Sequence, residues 1–87
     1  MPYVYILRCR DGALYVGQAD DVLRRERTHN DGRGARFTAS RRPVTAVYAE
    51  YFMTAQDATT RERQLKRWTR AKKEALVAGD LALLKRL

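Results

Sequence analysis

Apolar and β-branched residues crowd two short runs near the start of the chain, residues 3 to 9 and 13 to 18, with Asp11-Gly12 between them. Two strand-forming runs around such a dipeptide predict a β-hairpin. Asp20-Asp21 then offers an N-cap and negative charge for a first turn, and the pattern predicts a helix over 21–30. Residues 31 to 43, DGRGARFTASRRP, lose all periodicity and read as a loop with room for one short helical turn. VTAVYAEYF, residues 44 to 52, predicts a third strand. A helix follows from Thr54 or Asp57 to about Trp68, and another from Thr69-Arg70 to Gly79. Asp80 can cap a last short turn. A three-stranded sheet with helices packed on it is an α/β fold with α+β layering. One sheet face has to be covered, and the long C-terminal helices are the expected cover.

Composition narrows this to one compact domain over 1–87, ending in a short helical tail at 79–87. The 87 residues suffice for one small domain, and 45% of them are hydrophobic. The net charge is +8, and 14 of the 18 basic residues are arginine. Arginine's planar fork suits phosphate, and a field this positive draws polyanions, so nucleic acid is the expected partner. A basic surface that serves only solubility is the plainer alternative. No segment joins a broad apolar face to basic flanks, and no run is long enough to span a bilayer. The apolar start has no basic residues before it, unlike a signal peptide. A lone cysteine, Cys9, cannot form an internal disulfide and reads as a small buried hydrophobe. A cytoplasmic setting fits these features.

Several chemistries drop out. One histidine and one cysteine cannot supply a zinc site. The single serine, Ser40, has no nucleophile elbow around it, and no phosphate-cradling glycine motif occurs, so no nucleotide cofactor is expected. Tyrosine, arginine, His29 and carboxylates remain.

The stretch VYILRCRDGALYVG carries Tyr5 and Tyr15. A two-residue turn would put these phenols on opposite sheet faces, because strand side chains alternate. A three-residue turn, Arg10-Asp11-Gly12, pairs Leu7 with Tyr15 and sets Tyr5 diagonally beside it on one face. Gly12 then takes the left-handed position that closes such turns. The odd-length turn is the expectation here, although tyrosines in strands also serve as plain packing. Tyr3, Tyr48 and Tyr51 are read as packing.

On the first helix, Arg25 and His29 lie four residues apart and share a face. Arg25 is either a solvated arginine or one aimed at a phosphate, and His29 is the only side chain that titrates near neutrality. Glu62 is the only acid between Asp57 and Glu74, amid a run of basic residues. Helical spacing puts Ala58, Glu62, Leu65 and Thr69 in one narrow arc that should face the sheet. An inward carboxylate must be paired, protonated or bound to a metal. An ion pair with Arg61 or Arg25 is one resolution; water-rich Mg²⁺ or Mn²⁺ is another.

Tyr3-Val4-Tyr5, Tyr15-Val16-Gly17, Arg25, His29-Asn30 and Glu62, in this order and spacing, resemble the GIY-YIG endonuclease superfamily. The likeness is closest to its small stand-alone bacterial members and covers roughly residues 2 to 78. The resemblance implies a nuclease fold with a central three-stranded antiparallel sheet. Tyr5, Tyr15, Arg25, His29 and Glu62 correspond to its catalytic positions, with Glu62 as ligand of one divalent cation, Mg²⁺ or Mn²⁺. The pattern departs at Tyr3, where the family has glycine, at valine in place of both isoleucines, and at Gln18, where some repair-nuclease relatives have lysine. No separate DNA-binding domain accompanies the motifs.

The implied activity is hydrolysis of DNA phosphodiester bonds, structure-directed or nonspecific and linked to repair or processing of branched, flapped or single-stranded DNA. Tyr5 is the favoured base and Tyr15 the positioner, and an arginine or the cation is needed to lower a phenol's pKa. Arg33, Arg36, Arg41 and Arg42 in the middle loop, with Lys66, Arg67, Arg70, Lys72 and Lys73 on the C-terminal helices, are the candidates for backbone contacts. A binding module that keeps the fold without turnover is the alternative. A basic domain docking on an acidic protein is a third reading, but it leaves the inward Glu62 unexplained.

Overall fold

The computed structural model of the chain describes residues 2–87. Three strands, β1 (Tyr3–Arg8), β2 (Leu14–Ala19) and β3 (Thr45–Tyr51), form an antiparallel sheet in the order β2-β1-β3. Among the described residues five helices accompany the sheet: α1 (Val22–Asn30), α2 (Arg36–Ala39), α3 (Ala55–Arg67), α4 (Arg70–Ala78) and α5 (Leu81–Arg86). Among the described residues, no helix is long and apolar enough to cross a membrane.

The β1–β2 hairpin closes with the odd-length turn. The Cys9 amide donates to the Ala13 carbonyl at 2.8 Å, Leu7 pairs with Tyr15, and Tyr5 pairs with Gly17. Gly12 turns the chain at φ +87°, a conformation that costs other L-residues about 1–2 kcal/mol. Both phenols therefore leave the sheet on the same face.

The sheet is covered on both faces rather than one. Val4, Ile6 and Val16 pack with Ala58 and Leu65 of α3 and with Leu76 and Val77 of α4. Tyr5, Leu7 and Ala19 pack on the other face with Val22 of α1 and with Val44. The middle strand explains this: Val4, Tyr5, Ile6 and Leu7 are all at most 1% exposed, so successive residues need cover on alternate sides. The Arg8 guanidinium ties α4 to the sheet by a two-point bond to Glu74 at 2.7 and 2.8 Å, which holds the Glu74 carboxyl below its usual range. Cys9 is buried, as expected, and burial pushes its thiol pKa up.

Side-chain caps set the helix starts. Asp21 accepts from the Arg24 amide, Thr54 from Asp57, Thr69 from Lys72 and Asp80 from Leu83. Thr69 therefore leaves the arc of Ala58, Glu62 and Leu65 and begins a new helix. β3 carries a bulge: Ile6 faces Tyr48 but Leu7 faces Ala46, which skips Val47. The Ala46 amide donates to Glu26 of α1 at 2.6 Å. One turn later, the Asn30 side chain accepts from the Val44 amide at 2.7 Å and donates to its carbonyl at 3.0 Å. These contacts fix α1 against β3 and so fix the direction in which its histidine points.

Candidate active site

Tyr5 sits on the middle strand with its hydroxyl directed across the neighbouring strand. Gly17 permits this, because a Cβ there would stand 2.5 Å from the Tyr5 oxygen. The Tyr5 hydroxyl meets His29 Nε2 at 3.1 Å, and both side chains are at most 2% exposed. The Tyr15 ring lies 5.2 Å from the imidazole, centre to centre.

The far side of the imidazole is held equally closely. His29 Nδ1 is 2.7 Å from the hydroxyl of Thr38, which is fully buried at the third position of α2. That hydroxyl has one proton, and the Ala35 carbonyl accepts it at 3.0 Å. Thr38 therefore receives the Nδ1–H proton, and Nε2 is left as the acceptor of the Tyr5 O–H. Gly34 completes the pocket, since a Cβ at that position would run into the ring. Burial, reinforced by the nearby charge of Arg25, holds the His29 pKa below its ordinary value, so the ring is neutral at pH 7.

Tyr5 itself is pushed up to about 12, by burial first and then by Tyr15; the Arg25 guanidinium pulls in the other direction and loses. The arginine expected to lower this phenol is present, but desolvation outweighs it. Arg25 Nη1 also donates to the Gln18 carbonyl at 3.4 Å, so the guanidinium lies across the outer edge of β2. Beside it opens a cavity of about 540 Å³ whose lining includes Tyr15, His29, Arg24, Arg25 and Arg33, with Asp20 and Asp21.

Glu62 approaches from the opposite face of the sheet, on α3. Its side chain is 17% exposed and accepts from Gln18 Nε2 at 2.9 Å and from Lys66 Nζ at 2.7 Å. Gln18 also donates to Thr59 at 3.0 Å. The carboxylate's cationic partner is thus Lys66, one helical turn away, rather than Arg61 or Arg25. β2 lies at the sheet edge, so groups from both faces can meet around it, and Glu62 is near enough to raise the Tyr5 pKa.

Among the described residues, no group of three or more His, Cys, Asp and Glu side chains could cage an ion. A single carboxylate fits a hard cation that keeps most of its water, which describes Mg²⁺ and Mn²⁺. The Lys66 ammonium marks where Glu62 already attracts positive charge.

Tyr5, Tyr15, Arg25, His29 and Glu62 thus gather at one edge. The basic candidates for backbone contacts are dispersed. Arg41 is bound to Asp11 at 3.1 Å and to the Phe37 carbonyl at 2.9 Å. Arg42 donates to the carbonyls of Asn30 and Ala39, and Arg70 donates to that of Gly12. Arg33 pairs with Asp31, and Lys72 stands 5.0 Å from the Trp68 ring centre. Arg36 and Arg67 are exposed, and Lys73 is half-buried. Thr38 and Gly34 were not among the expected site residues, and no signal in the aperiodic middle loop marked them. Gln18, read only as a missing lysine, proves to be a partner of Glu62.

Comparison with known proteins identifies the family. The profile of the GIY-YIG catalytic domain matches residues 1–75. A UPF0213 protein of Bacillus pumilus is 45% identical over 75 residues, 86% of this chain and 76% of that one. A UPF0213 protein of Staphylococcus saprophyticus is 46% identical over 87% of this chain and 93% of its own. Among solved structures, the UPF0213 protein BH0048 of Bacillus halodurans superposes with a TM-score of 0.58 at 42% identity, over 90% of this chain and 84% of that one. The protein EF2693 of E. faecalis gives a TM-score of 0.61 at 39% identity, over 92% and 85% respectively.

Proposed function

The chain belongs to the GIY-YIG catalytic-domain family, which implies a nuclease with DNA as its substrate, and from that premise we propose that it hydrolyses DNA phosphodiester bonds with one divalent cation held by Glu62. The observation that supports this most strongly is the meeting of a tyrosine–histidine pair and a carboxylate across the open edge of one strand.

When bound, the cation supplies charge that polarises the scissile phosphate and stabilises the leaving oxygen. Glu62 would hold it through the carboxylate that pairs with Lys66 here, and Gln18, whose Nε2 donates to that carboxylate at 2.9 Å, orients it. Arg25, across the β2 edge, stabilises charge that builds on the phosphoryl oxygens. Tyr5 takes a proton from the attacking water as it passes its own to His29 Nε2, so a phenol of pKa about 12 never has to be free as phenolate. The water oxygen bonds to phosphorus as the bond to the leaving oxygen breaks. Tyr15, beside His29, positions water and phosphate. Repair or processing of DNA is the role this chemistry fits.

Incubation with branched, flapped, single-stranded and duplex oligonucleotides, in chelator or in Mg²⁺ or Mn²⁺, tests the reading. Cation-dependent cleavage of at least one substrate is expected. Binding without cleavage of any substrate would instead identify a module that kept the fold and lost turnover.

A further inference from the structure

α3 carries a concavity on the side turned away from the sheet. It encloses about 500 Å³ and is lined by Thr60, Arg63, Gln64, Arg67 and Trp68. The first four are exposed and recur at helical spacing, whereas Ala58 and Leu65 of the same helix are buried against the strands. With one turn every 3.6 residues, these four lie roughly 100° to 200° around the helix from Glu62. The groove and the candidate cation ligand therefore stand on largely opposite sides of one helix.

The lining has the chemistry of an anion site, and no carboxylate belongs to it. Among the described residues, Arg63 and Arg67 make no hydrogen bond or ion pair, while Arg8, Arg41 and Arg61 each pair with an acid. Like charges four residues apart weaken a helix, and here nothing offsets them. A surface shaped for stability alone would place an acid beside them. Gln64 Oε1 accepts from Arg61, which leaves its amide nitrogen as the donating end. Trp68 is the one apolar member. The Arg61 guanidinium stands 5.2 Å and the Lys72 ammonium 5.0 Å from its ring centre, so this wall adds cations rather than an open face for stacking. An apolar partner finds little here, and a polyanion finds complementary charge on every side.

We propose that this groove binds the phosphate backbone of a second DNA segment, separate from the one at the Tyr5–Glu62 edge. Guanidinium forks suit phosphate oxygens, and contacts of this kind hold a backbone without reading its bases. A helix with its side chains is about 10–12 Å thick, so a straight segment on one side of α3 leaves the other side free. The protein thus holds two DNA segments together, one on each side of the helix. The inference rests on the reading of DNA as substrate and does not require cleavage.

The test is bridging in chelator, where no cleavage occurs. Two linear duplexes, one carrying a donor fluorophore and the other an acceptor, are mixed with the full chain at about 0.15 M salt. Wild type should bring the two into energy transfer. Arg63→Gln/Arg67→Gln should weaken capture of the second duplex by about 10- to 100-fold, as the loss of two phosphate contacts implies, while one duplex still binds. Arg63→Lys/Arg67→Lys should keep most of the transfer, which separates loss of charge from loss of fold. Glu62→Gln should bridge as wild type does. No transfer with wild type, transfer that survives Arg63→Gln/Arg67→Gln, or transfer lost in Glu62→Gln would overturn the proposal. So would a wild type that bridges no duplexes yet binds poly-glutamate through these two arginines, because the groove would then belong to an acidic protein. Bridging without cleavage would refute only the nuclease reading; cleavage without bridging would refute only the groove.

Discussion

The Tyr5 hydroxyl is subject to opposing influences: burial and Tyr15 hold its proton on, Arg25 draws it off, and His29 Nε2, the proposed acceptor, stands 3.1 Å away. Whether that transfer works depends on which nitrogen of His29 bears hydrogen, and Thr38 decides this. Thr38→Val keeps the shape and removes the acceptor, so cleavage should fall about 10- to 100-fold, less than the roughly 100- to 10,000-fold loss of a general base removed outright. Thr38→Ser should retain most of the rate. Nitrogen-15 chemical shifts of the imidazole should report the Nδ1–H tautomer in wild type and a mixture in Thr38→Val; an unchanged tautomer would remove Thr38 from the account. The depressed His29 pKa carries a signed consequence. The folded state binds fewer protons than the unfolded chain once pH drops below about 6.5, so stability is complete above that value and declines as pH falls toward the folded pKa. Melting curves from pH 7.5 to 5 should show this decline, and His29→Gln should lessen it. Cleavage should likewise lose its base only below about pH 6.5.

At the scale of elements, the placement of α1 rests on a few polar contacts. Asn30 closes both hydrogen bonds of the Val44 backbone, and Glu26 accepts from the Ala46 amide beside the β3 bulge. Asn30→Ala should therefore destabilise the fold by about 1–3 kcal/mol in denaturant unfolding, the cost of stranding partly buried backbone groups. A change below about 0.5 kcal/mol would mean that α1 is held by packing alone. These anchors also mark how far the sequence can be read. The hairpin register was legible because Gly12 and an odd turn length force Tyr5 and Tyr15 onto one face. Glu62 was legible as the only acid between Asp57 and Glu74 in a basic stretch, but its position across the sheet from the tyrosines depends on how α3 packs on the sheet, which no local pattern records. The continuous apolar run Val4 to Leu7 already called for cover on two faces, a sign of the middle strand that became clear only once β3 was seen beside β1. Thr38 and Gly34 stayed hidden because their roles arise from the fold of a loop around an imidazole, without periodicity.

For the whole molecule, a charge of +8 does not translate into that many phosphate contacts. Arg41, Arg42 and Arg70 bind carbonyls and carboxylates of the protein itself, and Arg70 holds the Gly12 turn at 2.9 Å. Arg67 is exposed on the outer surface of α3. Binding measured from 50 to 200 mM salt should thus separate the two kinds of arginine. Arg67→Gln should reduce the slope of log K against log salt by about one unit, whereas Arg70→Gln should leave it nearly unchanged and lower thermal stability instead. The reverse outcome would place the substrate along the hairpin side.

On the proposed mechanism, Glu62 holds the cation with which this edge hydrolyses DNA. Its most direct test is the single-turnover cleavage rate as a function of Mn²⁺ concentration, for wild type and Glu62→Gln, under conditions in which both proteins are saturated with DNA. Wild type should rise to a plateau, and Glu62→Gln should stay at least about a thousandfold lower across the range, with DNA affinity within about threefold of wild type. A Glu62→Gln curve that climbs with Mn²⁺ to the wild-type plateau would contradict the account.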